Sequence, residues 1–274
     1  MPARGRALQR ATPGDTMSRR RLGKNARFER IVAELRASPT VRISELAQAF
    51  GVSVETVRRD IDELSQRGLV DRTYGGATAH ALAREPAVNE RYRILVEERG
   101  RIGTRAVQLV EAGDVLMIDS GSTTTHFARH LAATAQDLTV LTNCLGVAVA
   151  LGQTPGIRVV LCPGDYNVQE GGSFGPETCA FLRRYNATKA FIGASGLTAE
   201  GPDETNSAAT WVKRSMIERS DRSILLVDKT KFGTRSLELI CPLADLDDVV
   251  ADSAPGPDLR DALTVARVNV HLAT

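Results

Sequence analysis

Hydroxyl and glycine residues are concentrated in the segment DSGSTTTHFARHL, Asp119–Leu131, which overlaps the end of the apolar run VLMID. A helix-like pattern begins within it, and the first N–H groups of a helix have no partner inside that helix. Those N–H groups and the neighbouring hydroxyls can donate hydrogen bonds to a phosphate. The segment lacks the GK[ST] ending of a nucleotide P-loop, which argues against a nucleotide. The predicted phosphate cradle comprises Ser120, Gly121, Ser122, Thr123 and Thr124.

Asp119 adds a negative charge that would repel a phosphate unless a cation compensates it. Its carboxylate is better suited to accept hydrogen bonds from sugar hydroxyls. Candidate cations are Lys213, in the helix-like pattern AATWVKRSMIERS, and Lys229 or Lys231 in VDKTKFG. Taken singly, each of these lysines is also typical of an exposed, solvated side chain.

Five short apolar runs around the cradle predict a sheet: VLMID, LTVLTN, RVVLCPG, KAFIGASG and SILLVD. Strands that are apolar throughout are buried on both faces, and most of these runs are separated by enough chain for a crossover helix. The pattern therefore predicts a parallel α/β sheet. Two later runs, DDVVAD and VARVNVHLA, could add further strands.

Small and polar residues follow each run, at Asp119-Ser120-Gly121, Thr142-Asn143, Pro163-Gly164-Asp165, Ser195-Gly196 and Asp228-Lys229. In an open α/β sheet the ligand crevice lies outside the carboxyl ends of the strands, so these residues are expected to converge on one pocket. The alternative is that they only supply the turns that every connection needs. Taken together, the strand ends favour a ligand site that includes Asn143.

Charge is distributed unevenly along the 274 residues, a length that suits two domains. Residues 1–76 carry 15 Lys+Arg against 9 Asp+Glu, a net charge of +6, and the remainder carries −4. We therefore expect only the N-terminal part to meet a polyanion, although a solvated surface can carry such charge as well. Residues 1–24 are rich in Arg, Pro and Gly and predict a disordered basic arm.

Cellular location is indicated by the cysteines and by the lengths of the apolar runs. Four widely separated cysteines without a CxxC motif predict reduced core thiols and a cytoplasmic protein. No run of about 18 apolar residues is present, so no membrane span is predicted.

Residues 25–78 contain helical patterns that match a helix-turn-helix. Gly51 supplies a turn after ELAQAF, and Ser53 can cap the helix that follows. The apolar stripe of that helix leaves Arg58 and Arg59 on its outer face, where the second helix of the motif enters the major groove. An arginine fork fits guanine or a phosphate.

A winged helix-turn-helix is predicted because GLVDRTYGGAT reads as a strand, a turn at Gly75-Gly76 and a returning strand. In such domains the hairpin contacts the DNA backbone, so Arg72 would position the protein while the helix reads the sequence. The alternative is an amphipathic bundle in which Arg58 and Arg59 pair with Asp62 and Glu63. The predicted DNA-contacting residues are Arg42, Ser53, Thr56, Arg58, Arg59 and Arg72.

Between the two parts, residues 79–89 lack periodicity and contain Glu85-Pro86, which predicts a linker. Glu90–Glu111 then reads as one long helix. The second domain is expected to occupy residues 90–274.

Two groups of motifs carry a family resemblance. The segment SELAQAFGVSVETVRRDIDELSQRGLVDRTYGGA resembles the signature of DeoR-type bacterial transcriptional regulators, including its VS..TVRRD core and R.YGGA wing. The segments DSGSTTTHFARHL, LTVLTNCLGVAVAL, GASGLTAEG, WVKRSMIERS and LLVDKTKFG resemble successive blocks of that family's effector domain.

The resemblance implies an α/β effector domain similar in fold to ribose-phosphate isomerase and CoA transferases, following an N-terminal winged helix-turn-helix. It also implies a repressor of a sugar-metabolism operon that senses a phosphorylated sugar or related metabolite. It adds Lys213, Asp228 and Lys231 to the effector site.

The predicted function is therefore a repressor that is released from double-stranded operator DNA by a phosphorylated sugar-like effector. It is expected to act as a homodimer or higher homo-oligomer, without a catalytic residue, metal or cofactor. One alternative is a sugar-phosphate isomerase, since Asp119, Glu204, Lys213 and Asp228 offer acid, base and electrophile. A metabolic enzyme has no use for a winged helix, which favours the sensor. The other alternative is a nucleic-acid architectural protein whose second domain only oligomerises.

Overall fold

The computed structural model describes residues 22–37, 40–66, 70–73, 75–79, 85–134 and 136–273. Most of the predicted basic arm, residues 1–24, lies outside these residues. The first part of the predicted linker, residues 80–84, also lies outside them.

The N-terminal domain consists of three helices and a small antiparallel sheet of strand order β1-β3-β2. Its apolar stripes meet in one core, in which Ile31, Val57 and Ile61 are almost completely buried. The strand β1 was not predicted and widens the two-stranded wing into three strands. The elements are α1 Lys24–Ala37, β1 Thr40–Arg42, α2 Ile43–Phe50, α3 Val54–Gln66, β2 Val70–Thr73 and β3 Gly76–Ala79.

The wing turn differs slightly from the prediction, because Gly76 lies within β3 and pairs with both Arg42 and Thr73. A Cβ at this position would lie 2.1 Å from the carbonyl oxygen of Val41. Glycine is therefore needed here for the close approach of β1.

An ion pair connects the first and third helices. The Arg27 Nε and Nη2 atoms donate to the Asp60 carboxylate at 2.6 Å and 2.9 Å, and both side chains are largely buried. This two-point contact sets the position of α3 against α1, because a planar guanidinium meets a carboxylate in one geometry.

The C-terminal domain is built on a seven-stranded parallel sheet of order β15-β14-β12-β9-β4-β5-β6. Its central strands are fully buried, as the apolar runs predicted. The helices are α4 Val88–Arg91, α5 Val96–Val107, α6 Ser122–Thr134, α7 Leu145–Leu151, α8 Pro176–Leu182, α9 Ser207–Glu218 and α10 Pro257–Val265. The sheet strands are β4 Val115–Ile118, β5 Leu138–Thr142, β6 Ile157–Leu161, β9 Lys189–Ile192, β12 Ser223–Val227, β14 Asp248–Ala251 and β15 Asn269–Leu272.

Short antiparallel strands lie between the main strands in sequence. They are β7 Asp165–Asn167, β8 Gly172–Phe174, β10 Gly196–Leu197, β11 Pro202–Glu204 and β13 Glu238–Leu239. From β4 the chain adds β5 and β6 on one side, and it then returns to add β9, β12, β14 and β15 on the other side of β4. This is the switch point at which ligands bind in open α/β sheets.

The predicted single helix over Glu90–Glu111 is wrong, because the chain turns between α4 and α5. Leu95 adopts a left-handed backbone with a φ of 54°, which a continuous helix cannot contain. The apolar periodicity continues on both sides of the turn and therefore did not reveal it.

All four cysteines are buried and free, in agreement with the prediction of core thiols. None of the helices in the described part of the chain is long and apolar enough to cross a membrane.

We expect Asp60→Asn to lower the free energy of unfolding of the N-terminal domain by about 3 kcal/mol, because it leaves Arg27 without its counter-charge. Circular dichroism during urea unfolding of the full chain measures this change. Fluorescence of Trp211, the only tryptophan, reports the C-terminal domain and should keep its midpoint. The control Glu34→Gln changes an exposed side chain and should have little effect. A wild-type midpoint for Asp60→Asn would show that the ion pair does not stabilise the domain.

Candidate functional site

The start of α3 is capped as predicted. The Thr56 amide donates to Ser53 Oγ at 3.1 Å, and the two hydroxyls lie 2.8 Å apart. The apolar residues Val57, Ile61 and Leu64 face the core. The opposite face of α3 is therefore available to a partner.

Two arginines lie on this exposed face, and both contact Glu55 rather than the predicted partners Asp62 and Glu63. Arg58 lies 2.8 Å and Arg59 3.4 Å from Glu55. Exposed ion pairs of this kind contribute little stability, so the guanidinium groups can exchange Glu55 for another anion at small cost.

Asp62 and Glu63, the acids of the alternative amphipathic-bundle pairing, contact other basic side chains. Asp62 lies 2.8 Å from Arg72 of the wing, and Glu63 lies 2.6 Å from Lys24. Arg72 remains more than half exposed, and Arg42 at the end of β1 is exposed as well. All predicted DNA-contacting residues thus lie on the surface or, for Thr56, partly exposed at it.

A second candidate site is a pocket at the carboxyl ends of β4 and β9, where about 410 Å³ of empty space includes open solvent. The whole predicted cradle lines it, from Ser120 to Thr124. Charged side chains form much of the remaining wall. They are the acidic residues Glu85, Glu170 and Glu204 and the basic residues Arg91, Arg99, Lys213 and Lys231.

The N-terminus of α6 opens into this pocket, as the small-residue segment predicted. The hydroxyl of Thr124 donates to the carbonyls of Asp119 and Gly121 at 3.0 Å and 3.1 Å, so its proton is not available to a ligand. The prediction that the Thr124 hydroxyl donates to a phosphate is therefore wrong. Ser122 and Thr123 remain on the wall, beside the unpaired first amides of the helix.

Asp119 does not lie on the pocket wall, contrary to expectation. Its side chain is 1% exposed and accepts from Lys213 Nζ at 2.7 Å and from the Gly193 amide at 3.2 Å. Burial raises the pKa of Asp119 against the opposing effect of Lys213. Through these contacts Asp119 holds Lys213 and the Gly193 amide in position behind the pocket wall, and it does not bind sugar hydroxyls.

Lys213 lies between two carboxylates and is not a free cation. Its Nζ atom is 2.7 Å from Asp119, 2.8 Å from Glu204 and 3.1 Å from the Gly193 carbonyl oxygen. Burial alone would lower the pKa of Lys213, but the two carboxylates outweigh it and the pKa rises. Lys213 therefore stays charged and neutralises the acids that the loops bury.

Glu204 is held by several donors at once. Its Oε1 atom accepts from the Ser195 hydroxyl and the Thr205 amide, each at 2.8 Å. Burial would raise the pKa of Glu204, but Lys213 outweighs it and the pKa lies below its usual value. A carboxylate held in this way is a poor general base.

Sequence reasoning missed a cluster around Arg91. Its Nη1 atom lies 2.8 Å from Glu85 and its Nη2 atom 2.7 Å from Glu170, while Lys231 also contacts Glu85. Burial acts to lower the pKa of Arg91, and the carboxylates raise it above its ordinary value. The charged residues on both sides of Glu85-Pro86 could have indicated this cluster, but they lie in a stretch that was predicted to be a linker.

Arg99 was also missed, although it lies deep in the pocket with a side chain 3% exposed. It donates to the carbonyls of Arg91 and Ile94 and lies 3.6 Å from Asp228. Burial lowers its pKa. The Nε atoms of Arg91 and Arg99 are buried without a hydrogen-bond partner, which leaves donors unsatisfied in the wall of the site.

Three other predicted effector residues do not line the pocket. Asp228 is buried and accepts from the Thr230 amide at 3.0 Å. Lys229 is exposed, and its amide donates to Asp252. Asn143 is buried and donates to the Ser173 carbonyl at 3.0 Å. Of the predicted lysines, Lys213 and Lys231 reach the wall.

Comparison with known proteins identifies two family domains in the chain. The model of the DeoR C terminal sensor domain matches residues 95–253, and that of the DeoR-like helix-turn-helix domain matches residues 27–81. An uncharacterized HTH-type transcriptional regulator of Bacillus subtilis, YulB, is 31% identical over 89% of this chain and 95% of its own length. The glycerol-3-phosphate regulon repressor of Escherichia coli is 28% identical over 90% of this chain and 98% of its own.

Among solved structures, ribose 5-phosphate isomerase A from Methanocaldococcus jannaschii is similar to part of the chain. It is 18% identical with a TM-score of 0.37, and the match covers 48% of this chain and 52% of the isomerase.

We expect Lys213→Met to destabilise the C-terminal domain by about 4 kcal/mol near neutral pH, because Asp119 and Glu204 become buried charges without a cation. Their pKa values in the folded variant should then rise above the unfolded values. Stability gained from such groups is present at low pH and lost as the pH rises through the folded pKa. The deficit relative to wild type should therefore shrink between about pH 8 and about pH 5.

Urea unfolding followed by Trp211 fluorescence measures this deficit. The exposed Lys229→Met serves as the control and should match wild type at each pH. A deficit that stays constant with pH would contradict the proposed neutralising role of Lys213.

Proposed function

Since the chain belongs to the DeoR family of helix-turn-helix transcriptional regulators, we propose that it represses transcription from operator DNA until a phosphorylated sugar or related metabolite binds its C-terminal domain. The observation that carries the effector part is the pocket at the switch point of the sheet. There the N-terminus of α6 faces two buried guanidinium groups, of Arg91 and Arg99.

The chemistry of this pocket favours an anion with hydroxyl groups. The first amides of α6 and the buried arginines are donors that suit a phosphate. The carboxylates of Glu85, Glu170 and Glu204 supply acceptors for hydroxyls elsewhere on the wall. The E. coli relative is by its name the repressor of a glycerol-3-phosphate regulon, which supports a phosphorylated compound.

For the N-terminal domain we propose that α3 enters the major groove. Arg58 and Arg59 on its exposed face would reach bases or phosphates by exchanging their weak contacts with Glu55. Arg72, Arg42, Ser53 and Thr56 would contact the flanking backbone or base edges.

Repression and release are coupled through linkage. The effector must bind the free protein more tightly than the DNA-bound protein, because equal affinity for both shifts nothing. We propose that a dimer presents two α3 helices to half-sites separated by about 10 base pairs or a multiple of that spacing.

The isomerase alternative is less well supported, and the relatives in the comparison are transcriptional regulators. Asp119 is 1% exposed, and Lys213 is bonded to two carboxylates and a carbonyl. Neither group is placed to take a proton from a substrate carbon.

We predict that Arg58→Ala and Arg59→Ala each weaken operator binding by about 1–3 kcal/mol and reduce the salt dependence of binding if the lost contact is to phosphate. The operator is first selected from random duplexes with the wild-type chain, and fluorescence anisotropy gives the affinity. The control Arg158→Ala removes an exposed arginine from the C-terminal domain and should bind normally. Unchanged binding by both α3 variants would exclude this face of α3 as the DNA interface.

We predict that at least one member of a panel of phosphorylated sugars and polyols lowers operator affinity by about fivefold or more, whereas its unphosphorylated counterpart does not. Thr123→Val should keep wild-type operator affinity but blunt this response, because it removes a hydroxyl from the pocket wall. If no phosphorylated compound changes operator affinity, the C-terminal domain is not a sensor of such compounds, and the architectural alternative is favoured.

A further inference from the structure

Glu85 places a carboxylate inside the effector pocket from a residue that was predicted to be linker. Its side chain is 8% exposed and contacts Arg91 at 2.8 Å, Lys231, and the Ser195 hydroxyl at 3.2 Å. Burial opposes its charge, but Lys231 and Arg91 outweigh burial and hold the pKa of Glu85 far below its usual value. An internal anion therefore already occupies part of the basic wall.

Each basic side chain on this wall is in fact matched by a carboxylate of the chain. Lys213 pairs with Asp119 and Glu204, and Arg99 lies beside Asp228. Arg91 pairs with Glu85 and Glu170, and Lys231 pairs with Glu85. An incoming phosphate would meet neutralised cations, so an ion pair with Arg91 or Lys231 requires that an internal carboxylate give up its partners.

The carboxylates differ in how firmly they are held. Asp119 and Asp228 directly follow strands of the main sheet and accept backbone amides, and Glu204 ends β11 and accepts the Thr205 amide. Glu85 and Glu170 lie outside any helix or strand, and in the described residues their carboxylates contact side chains only. Glu170 contacts Arg91, whereas Glu85 contacts both Arg91 and Lys231. Displacing Glu85 therefore breaks no backbone hydrogen bond of the sheet domain.

Resting on the proposed function, we propose that Glu85 is an internal competitor for the anionic group of the effector: the effector's phosphate replaces the Glu85 carboxylate on Arg91 and Lys231. An uncharged sugar cannot replace the Glu85 carboxylate there without leaving Lys231 without a counter-charge and Arg91 with Glu170 alone. Glu85 thereby makes the pocket selective for anions and delays their binding until it has left.

Displacement of Glu85 also affects the segment that connects the sheet domain to the DNA-binding domain. Only residues 80–84 separate Glu85 from β3, the last strand of that domain. On the other side, the Val88 amide donates to the Gln169 carbonyl at 2.7 Å, and Val88 packs against Gly171. Among the described residues, release of Glu85 removes the contact of the sheet domain that lies nearest to the DNA-binding domain along the chain, which links occupancy of the pocket to the attachment of that domain.

The test measures binding of inorganic phosphate to the full chain by calorimetry at constant ionic strength. Glu85→Gln keeps the shape and a hydrogen-bonding oxygen but removes the competing charge. It should bind phosphate about tenfold more tightly than wild type, because the apparent Kd is no longer raised through division by the small fraction of molecules in which the site is open. Glu90→Gln, an exposed change of the same kind on α4, should bind as wild type does. Equal or weaker binding by Glu85→Gln would overturn the proposal.

A second measurement does not depend on any variant folding. Hydrogen exchange of wild type should show faster exchange of the Val88 and Tyr92 amides when phosphate is saturating, since Glu85 no longer holds the segment. Unchanged or slower exchange there would mean that Glu85 stays in place and would also overturn the proposal.

These outcomes are distinct from failure of the proposed function. If sugar phosphates leave operator affinity unchanged while Glu85→Gln tightens phosphate binding, the effector class or the coupling is wrong and the competition stands. If sugar phosphates release operator DNA while Glu85→Gln binds phosphate as wild type does, the proposed competition by Glu85 is wrong and the proposed function stands.

Discussion

The shape of the pocket depends on the contacts that the buried ammonium group of Lys213 makes with two carboxylates and a carbonyl oxygen. This ammonium group connects Asp119, which follows β4, with Glu204 at the end of β11 and the Gly193 carbonyl after β9. A buried charge costs several kcal/mol unless it is paired in good geometry. The three connections are therefore held in one arrangement, and the start of α6 is placed beside them as a consequence.

Arginine serves opposite purposes in the two domains because its environment differs. On α3 the guanidinium groups of Arg58 and Arg59 are exposed, and their contacts with Glu55 are cheap to exchange. In the pocket, Arg91 and Arg99 are buried and bound by carboxylates and carbonyls, so each exchange of a partner is costly. Exposed arginines suit a surface that samples many DNA sites, and buried ones suit a site that discriminates among small anions.

Sequence reasoning recovered the features that depend on periodicity and on strand ends. The parallel sheet, the capped α3 and the wing follow from local patterns, and the structure contains them. Ser120–Thr124 line a pocket at the end of β4, and their role as a phosphate cradle stays a prediction. It did not recover Glu85, Arg91 and Arg99, since a charged residue in a weakly periodic stretch is usually solvated. Nor did it foresee that Asp119 and Lys213 neutralise each other, because their pairing joins residues on different elements and is visible only once the sheet has formed.

The turn at Leu95 lies between the two helices that supply Arg91 and Arg99 to the pocket. Arg91 and Arg99 come from α4 and α5, whereas the cradle belongs to the sheet, so a ligand that contacts both joins the two helices to the strand ends. The left-handed backbone of Leu95 between those helices costs about 1–2 kcal/mol, and Arg99 supports that turn through the Ile94 carbonyl. Allosteric coupling free energies are typically about 1–3 kcal/mol. Under the proposed function, a rearrangement of this turn on effector binding would supply free energy on that scale without any change in the core of the sheet.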